Sequence, residues 1–229
     1  RKFLGDNAGV EKIRRLVAAD HGAYDLATPP LAHDERLWAQ IVELGWTGLA
    51  VPADAGGAEM KMVAVAALAE EIGRAALPSP LIATLLATCV LRQAGTASLA
   101  ITDADGSWEP QDTSVTAEAK GDGAVLNGTA YFVQDARKAS FFVVSARGKK
   151  GVGLYAVRGD SAGLKVHPDH IVDLTRDQAR VALRDVKVAA ADVVAAEGAG
   201  ADALAKAMPA LLTIVAADLC GAGEWQLQT

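Results

Sequence analysis

Cysteine is nearly absent from this chain, with only Cys89 and Cys220 among 229 residues. Neither has a histidine or a second cysteine at metal-ligand spacing, and both fall inside apolar helical patterns. That predicts buried free thiols in a reducing compartment. Basic runs are missing too. The densest group, Arg147, Lys149 and Lys150, sits in a glycine-bracketed turn and reads as a surface loop. Together with a net charge of -6, this excludes phosphate-backbone binding as the main role. No GxGxxG or P-loop glycine pattern occurs, so a Rossmann dinucleotide site has no support. Histidines number four, and the one close pair, His167 and His170, is separated by Pro168 in a strand–loop context that does not build a metal site. No long apolar region comes after Arg1-Lys2-Phe3, which argues against an ordinary signal peptide. The longest apolar-rich run, Leu81 to Leu91, is too short for a bilayer. A soluble, cytoplasmic chain with no metal, no nucleic acid and no membrane span is expected.

What is present is globular: 51% hydrophobic and 22% charged residues, too apolar for disorder. The apolar period divides the chain in three, which predicts an N-terminal helical domain over 1–96, a middle β domain over 97–190 and the start of a C-terminal helical domain over 191–229. In the first zone Val10, Ile13, Leu16 and Val17 share a helical face. Asp34 is placed to cap a second helix that carries Leu37, Trp38, Ile41, Val42 and Leu44 before Gly45 stops it. A third helix is expected over about 59–75 and a fourth from Pro80 through Leu91. From Ser98 the period becomes two. Strands are expected over 114–119, 124–133, 140–146, 152–157, 164–166 and 179–188, with glycine and aspartate turns between them. Several short strands with no helices between them predict an antiparallel barrel or sandwich, hence an α+β fold. After Val188 a helical pattern returns, and Pro209 should interrupt it. Leu204, Leu211, Leu212, Val215 and Leu219 are expected to leave an apolar stripe exposed there, for the rest of a longer chain or a partner to cover.

Two short matches carry no chemistry. Gly159-Asp160-Ser161-Ala162-Gly163 fits the nucleophile-elbow pattern, but strand-like residues come after it where a helix is required, so it reads as a hairpin loop. Asn127-Gly128-Thr129 is formally a glycosylation sequon and reads as a hairpin turn.

The informative signal is collective. Leu44-Gly45-Trp46-Thr47-Gly48-Leu49-Ala50-Val51-Pro52, followed by Ala55-Gly56-Gly57, is similar to the "LGWxGLxVPxxxGG" passage of the acyl-CoA dehydrogenases. Glu70-Glu71-Ile72-Gly73-Arg74 resembles their "EE(I/L)GR". Asp173-Leu174-Thr175-Arg176, then Val181 to Val188 and Asp192, resembles the end of their β domain. The segments lie in the family's order over almost the whole chain.

The resemblance implies a flavoenzyme that uses FAD to oxidise an acyl-CoA thioester to the trans-2-enoyl-CoA, in lipid metabolism such as fatty acid or steroid side-chain degradation. In that chemistry a glutamate removes the α-proton and the β-hydrogen leaves as hydride to the flavin. The family's "TEPxxGSD" flavin loop falls on Ile101, Thr102, Gly106 and Ser107, with Asp103-Ala104 replacing Glu-Pro. Its "WxT" strand becomes Phe132-Val133-Gln134, in which Phe keeps an apolar shield and Gln an amide donor. Glu197 and Glu224 are the only glutamates after the β domain and neither matches the family's base, which the resemblance puts beyond Thr229. No catalytic residue is therefore assigned, and the 229 residues alone are expected to be inactive. Implied partners are an acyl-CoA substrate, an electron-transfer flavoprotein or similar acceptor, and a homo-oligomer or a heteromer with a related subunit. The Asp103-Ala104 and Gln134 departures leave open a non-catalytic structural subunit of a heteromeric acyl-CoA dehydrogenase. A flavin-free module for CoA esters is a further alternative.

Overall fold

The chain begins with two short helices, α1 (Lys2–Asn7) and α2 (Val10–Val17), in a computed structural model that describes residues 1–17, 28–29, 31–93 and 95–228. The expected cap on the next helix is present. The Asp34 carboxylate accepts the Arg36 and Leu37 N–H groups, each at 3.0 Å, and opens α3 (Glu35–Glu43), satisfying donors that have no partner within the helix. After the glycine loop come α4 (Met62–Arg74) and α5 (Leu81–Leu91). α5 is apolar all round and nine of its eleven residues are buried, because helices cover one side of it and the sheet the other. Thr84 anchors it to the sheet by accepting the Ala97 N–H at 3.3 Å.

Eight strands come next: β1 (Ala97–Ala100), β2 (Thr116–Lys120), β3 (Gly123–Gln134), β4 (Phe141–Gly148), β5 (Gly151–Arg158), β6 (Leu164–Pro168), β7 (Gln178–Val188) and β8 (Val193–Ala195). They form one sheet in the order β6-β7-β3-β2-β4-β5-β8, with β1 paired to β4. The sheet is mixed, which corrects the purely antiparallel expectation: β1 and one residue pair of β2 run parallel to β4. A strand that enters from a helix, as β1 does from α5, need not form a hairpin with the next strand in the chain. The sheet also continues past residue 190 through β8, which pairs with β5.

Period two is blurred where both faces are covered. In β4, Phe142 to Ala146 are all buried. Phe142 and Val144 join Leu126 and Val181 in one core, while Val143 packs with Leu85, Leu211 and Ile214 in the helical core.

The sequon Asn127-Gly128-Thr129 lies inside β3 and not in a turn. Gly128 takes φ +134 at a register slip, and a Cβ there would come within 2.4 Å of the Ser114 carbonyl oxygen. The glycine marks a close backbone approach. Gly159 to Gly163 is the β5–β6 connection, as expected for a loop.

The final helix, α6 (Gly200–Gln228), runs unbroken through Pro209, contrary to the expected interruption. Proline removes the N–H that would reach the Ala205 carbonyl, but Ala205 and Pro209 are both exposed, so water can take that acceptor. Proline inside a helix costs about 3 kcal/mol relative to alanine. Pro209→Ala is therefore expected to stabilise the chain by about 1–3 kcal/mol. An unchanged or lowered urea midpoint would show that the helix needs the proline.

α6 also differs from expectation in its faces. Leu204 and Leu211 are buried against α4 and α5, whereas Leu212 and Leu219 are 57% and 65% exposed. The stripe divides because α6 packs along α4 with one side only. Cys220 is exposed rather than buried, and Cys89 is half-buried. By length and apolarity alone α6 is long enough to cross a bilayer, so it replaces Leu81–Leu91 as the longest apolar segment. Here its inner face serves as a core surface, tied by Arg74–Glu224 and by Arg176–Asp218 at 2.9 Å.

Candidate functional site

At the end of β1 the chain reaches Ile101 and Thr102, and the Tyr131 N–H donates to the Thr102 carbonyl at 3.0 Å. This joins β1 to β3, so that the 103–107 loop and the C-terminal end of β3 share one edge. The loop is shaped by Asp103, whose Oδ1 accepts the N–H groups of Asp105 (3.0 Å) and Ser107 (2.8 Å). Gly106 sits at φ +85, and a Cβ there would lie 4.0 Å from the Phe132 ring.

Phe132 itself is held at φ +52, where β3 carries one residue more than β7 between Ala130 and Val133. A bulky residue at positive φ is strained by about 1–3 kcal/mol. The bulge turns the ring outward, leaving Phe132 45% exposed. Gln134 is also exposed, and its carbonyl accepts the Ser98 hydroxyl at 2.5 Å.

The seven sequence-derived positions therefore separate by environment. Thr102, Phe132 and Gln134 come together, with Trp108 and Leu86 of α5, around a small cavity of about 30 Å³. Gly106 abuts the Phe132 ring. Ile101 also touches this cavity but is 3% exposed, and Val133 is 1% exposed and packs in the β core. Ser107 is engaged within its own surface segment, its hydroxyl donating to the exposed Asp112 at 2.7 Å and accepting the Glu109 N–H at 3.1 Å. Among the described residues the Thr102 hydroxyl makes no side-chain hydrogen bond, so it can serve a ligand.

Four residues were missed from sequence. Trp108 directly follows the loop, and Ser98 is itself a buried polar residue of β1. Asp135 and Lys138, spaced three apart after β3, form an ion pair at 2.9 Å with 5% and 3% of their side chains exposed, respectively. Burial pushes the Asp135 carboxyl up from its ordinary range, and Lys138 beside it pulls the other way. Gln134 also borders a second, larger cavity of about 310 Å³, walled by Asp135, Arg176, Asp177, Asp218 and Val215. Glu197 and Glu224 lie elsewhere: Glu197 accepts the Lys150 N–H at the β4–β5 turn, and Glu224 pairs with Arg74.

A family model described as acyl-CoA dehydrogenase, N-terminal domain, matches residues 11–100. Residues 11–100 thus carry the N-terminal domain of the acyl-CoA dehydrogenase family. The chain is 35% identical over 90 residues to the acyl-CoA dehydrogenase IpdE2 of Mycobacterium tuberculosis, a match that takes in 39% of this chain and 25% of that protein. Among solved structures, a variant of the Tcur3481-Tcur3483 steroid ACAD aligns with 99% of this chain and 62% of its own at 25% identity and TM-score 0.80. The ChsE4-ChsE5 complex of M. tuberculosis aligns over 99% and 62% at 21% identity and TM-score 0.81, a likeness of fold. The chain thus spans about three fifths of these structures and a quarter of that curated relative.

Proposed function

We propose that this chain forms the FAD-facing edge of an acyl-CoA dehydrogenase, which oxidises an acyl-CoA thioester to the 2-enoyl-CoA. The observation that carries the reading is the convergence of the Thr102 hydroxyl, the exposed Phe132 ring and Gln134 on one sheet edge. A planar, hydrogen-bonding ring fits this set: Phe132 offers an apolar face, and Thr102 and Gln134 offer donors and acceptors beside it. When bound there, FAD would accept the two electrons of the oxidation. Thr102 orients the ring edge, Phe132 excludes water from one face, and Gln134 presents its amide. A dry site strengthens each of those hydrogen bonds. The proton-abstracting group is not assigned, since Glu197 and Glu224 are engaged away from the edge.

Replacing Thr102 with Val removes the hydroxyl at nearly constant shape. Losing that hydrogen bond should cost about 1–3 kcal/mol, roughly a five- to 150-fold loss of FAD affinity. Equilibrium dialysis of the assembled protein with FAD measures it. Affinity unchanged from wild type would mean that the ring lies elsewhere.

A second reading is a structural subunit in a heteromer with a related, catalytic chain. One observation favours it: Asp103 captures the Asp105 and Ser107 N–H groups and Ser107 is turned to Asp112, so these loop donors are satisfied internally. Either reading provides an occupant for the outer face of α6, where Leu212 and Leu219 are exposed. Helices of a related chain, in a homo-oligomer or a heteromer, would bury them.

A further inference from the structure

Two cavities meet at Gln134. The one on the Thr102 side, about 30 Å³, has room for a single water; the other, about 310 Å³, has room for a ligand group. If the flavin edge is placed as proposed, only the larger cavity, among the described residues, can take a substrate acyl group beside Gln134. Ile82, Ile171 and Val215 give it apolar patches, Gln134 and Gln178 neutral amides, and the other five lining residues are charged. Arg176 bridges from the sheet side to α6, donating to both oxygens of Asp218 at 3.0 and 2.9 Å. Asp177 pairs with Arg137 at 2.8 Å, and Asp135 pairs with Lys138 at 2.9 Å. Three carboxylates thus already hold three cations. Asp173, another wall residue, has no salt-bridge partner among the described residues and caps a turn by accepting the Thr175 N–H at 2.9 Å.

Such a wall discriminates in two ways. A plain hydrocarbon chain would strip water from ion pairs and return no hydrogen bonds. A carboxylate-terminated chain would meet cations that are already neutralised and the extra charge of Asp173. A neutral hydroxyl or keto group can replace the displaced water, donating to the aspartates or accepting from Arg176.

Resting on the reading above, we infer that this cavity selects an acyl-CoA whose acyl part carries neutral hydrogen-bonding substituents, in preference to a plain alkyl or an anionic acyl chain. The test is direct binding to the assembled protein of four neutral esters, octanoyl-CoA and its 6-, 7- and 8-hydroxy derivatives, and of the carboxylate-terminated suberyl-CoA. At least one hydroxylated ester should bind tenfold or more tighter than octanoyl-CoA, and suberyl-CoA should bind no tighter than octanoyl-CoA. The paired replacement Arg176→Met with Asp218→Leu, which keeps the wall's net charge, should abolish the hydroxyl preference. Octanoyl-CoA binding as tightly as every hydroxylated ester would overturn the inference while leaving the acyl-CoA dehydrogenase reading intact. So would suberyl-CoA binding tightest. No binding of any CoA ester would overturn both. The wild-type comparison decides the matter even if the paired variant fails to fold.

Discussion

Replacing Lys138 with methionine is expected to destabilise the protein by about 3–5 kcal/mol, the usual cost of removing one partner from a buried ion pair. The Lys138 side chain is 3% exposed and that of Asp135 5%, at 2.9 Å separation. Methionine keeps much of the volume but leaves the Asp135 carboxylate without its counter-charge. The loss should depend on pH, with a definite sign. Burial already holds the Asp135 carboxyl above its ordinary range, and removing Lys138 raises it further. Between the unfolded and folded values the folded variant keeps a proton that the unfolded chain has released, so its stability falls as pH rises through that window. The deficit should be smallest in acid and full at neutral pH. Asp135 sits at φ +51, a conformation that asparagine also accepts. Asp135→Asn combined with Lys138→Met should therefore recover most of the loss. Denaturant unfolding of the single and double variants at two pH values measures all three claims. A single variant as stable as wild type at neutral pH would show the pair to be dispensable.

The α4–α6 crossing should be nearly as sensitive. A Cβ on Gly73 would lie 1.9 Å from the Asp218 carbonyl oxygen, and one on Gly221 would lie 1.8 Å from the Glu70 carbonyl oxygen. The two helices meet backbone to backbone at a reciprocal pair of glycines, and every clash is with main chain that cannot rotate away. Separating them would also loosen Val65 and Ile72 from Leu211 and Ile214, all buried. Gly73→Ala should cost about 2 kcal/mol and Gly73→Val about 3 kcal/mol or more, at the upper end of overpacking effects. Gly221→Ala should behave like Gly73→Ala. The two alanine variants combined should cost less than their sum, because the first already opens the crossing. Unaltered urea midpoints for the alanine variants would mean that the helices are not held this closely in solution.

The glycine of Glu70-Glu71-Ile72-Gly73-Arg74 illustrates how far the sequence could be read. The motif is visible in one dimension, but its reason lies in Gly221, 148 residues away, and only the crossing joins them. Local rules worked where the physics is local: Asp34 caps α3, Gly45 ends it at φ +73, and the change of period near Ser98 marks the start of the sheet. They failed where tertiary contacts decide. Pro209 is accommodated because its side of α6 faces water, and the apolar stripe of α6 divides because α4 covers half of it. Gly128 marks a strand bulge, since the neighbouring 114–115 backbone passes close by.

The candidate site shows the same division. Resemblance placed Thr102, Phe132 and Gln134 at one edge, and they line one cavity. Val133 and Ser107 were carried along by adjacency in sequence, yet strand alternation turns the first into the core and the second is hydrogen-bonded to Asp112. The cavity beyond Gln134 draws on residues from 82 to 218, a set that no spacing rule collects.

The central claim is that the Thr102–Phe132–Gln134 edge holds a flavin that oxidises acyl-CoA. It is tested most directly by the flavin stoichiometry and visible spectrum of the assembled protein, reconstituted with FAD and titrated anaerobically with an acyl-CoA it binds. One FAD per copy of this chain, with its blue absorption bleached by the acyl-CoA, is the predicted result. An assembly in which flavin is present only in proportion to another subunit, or is bound but not bleached, would contradict it.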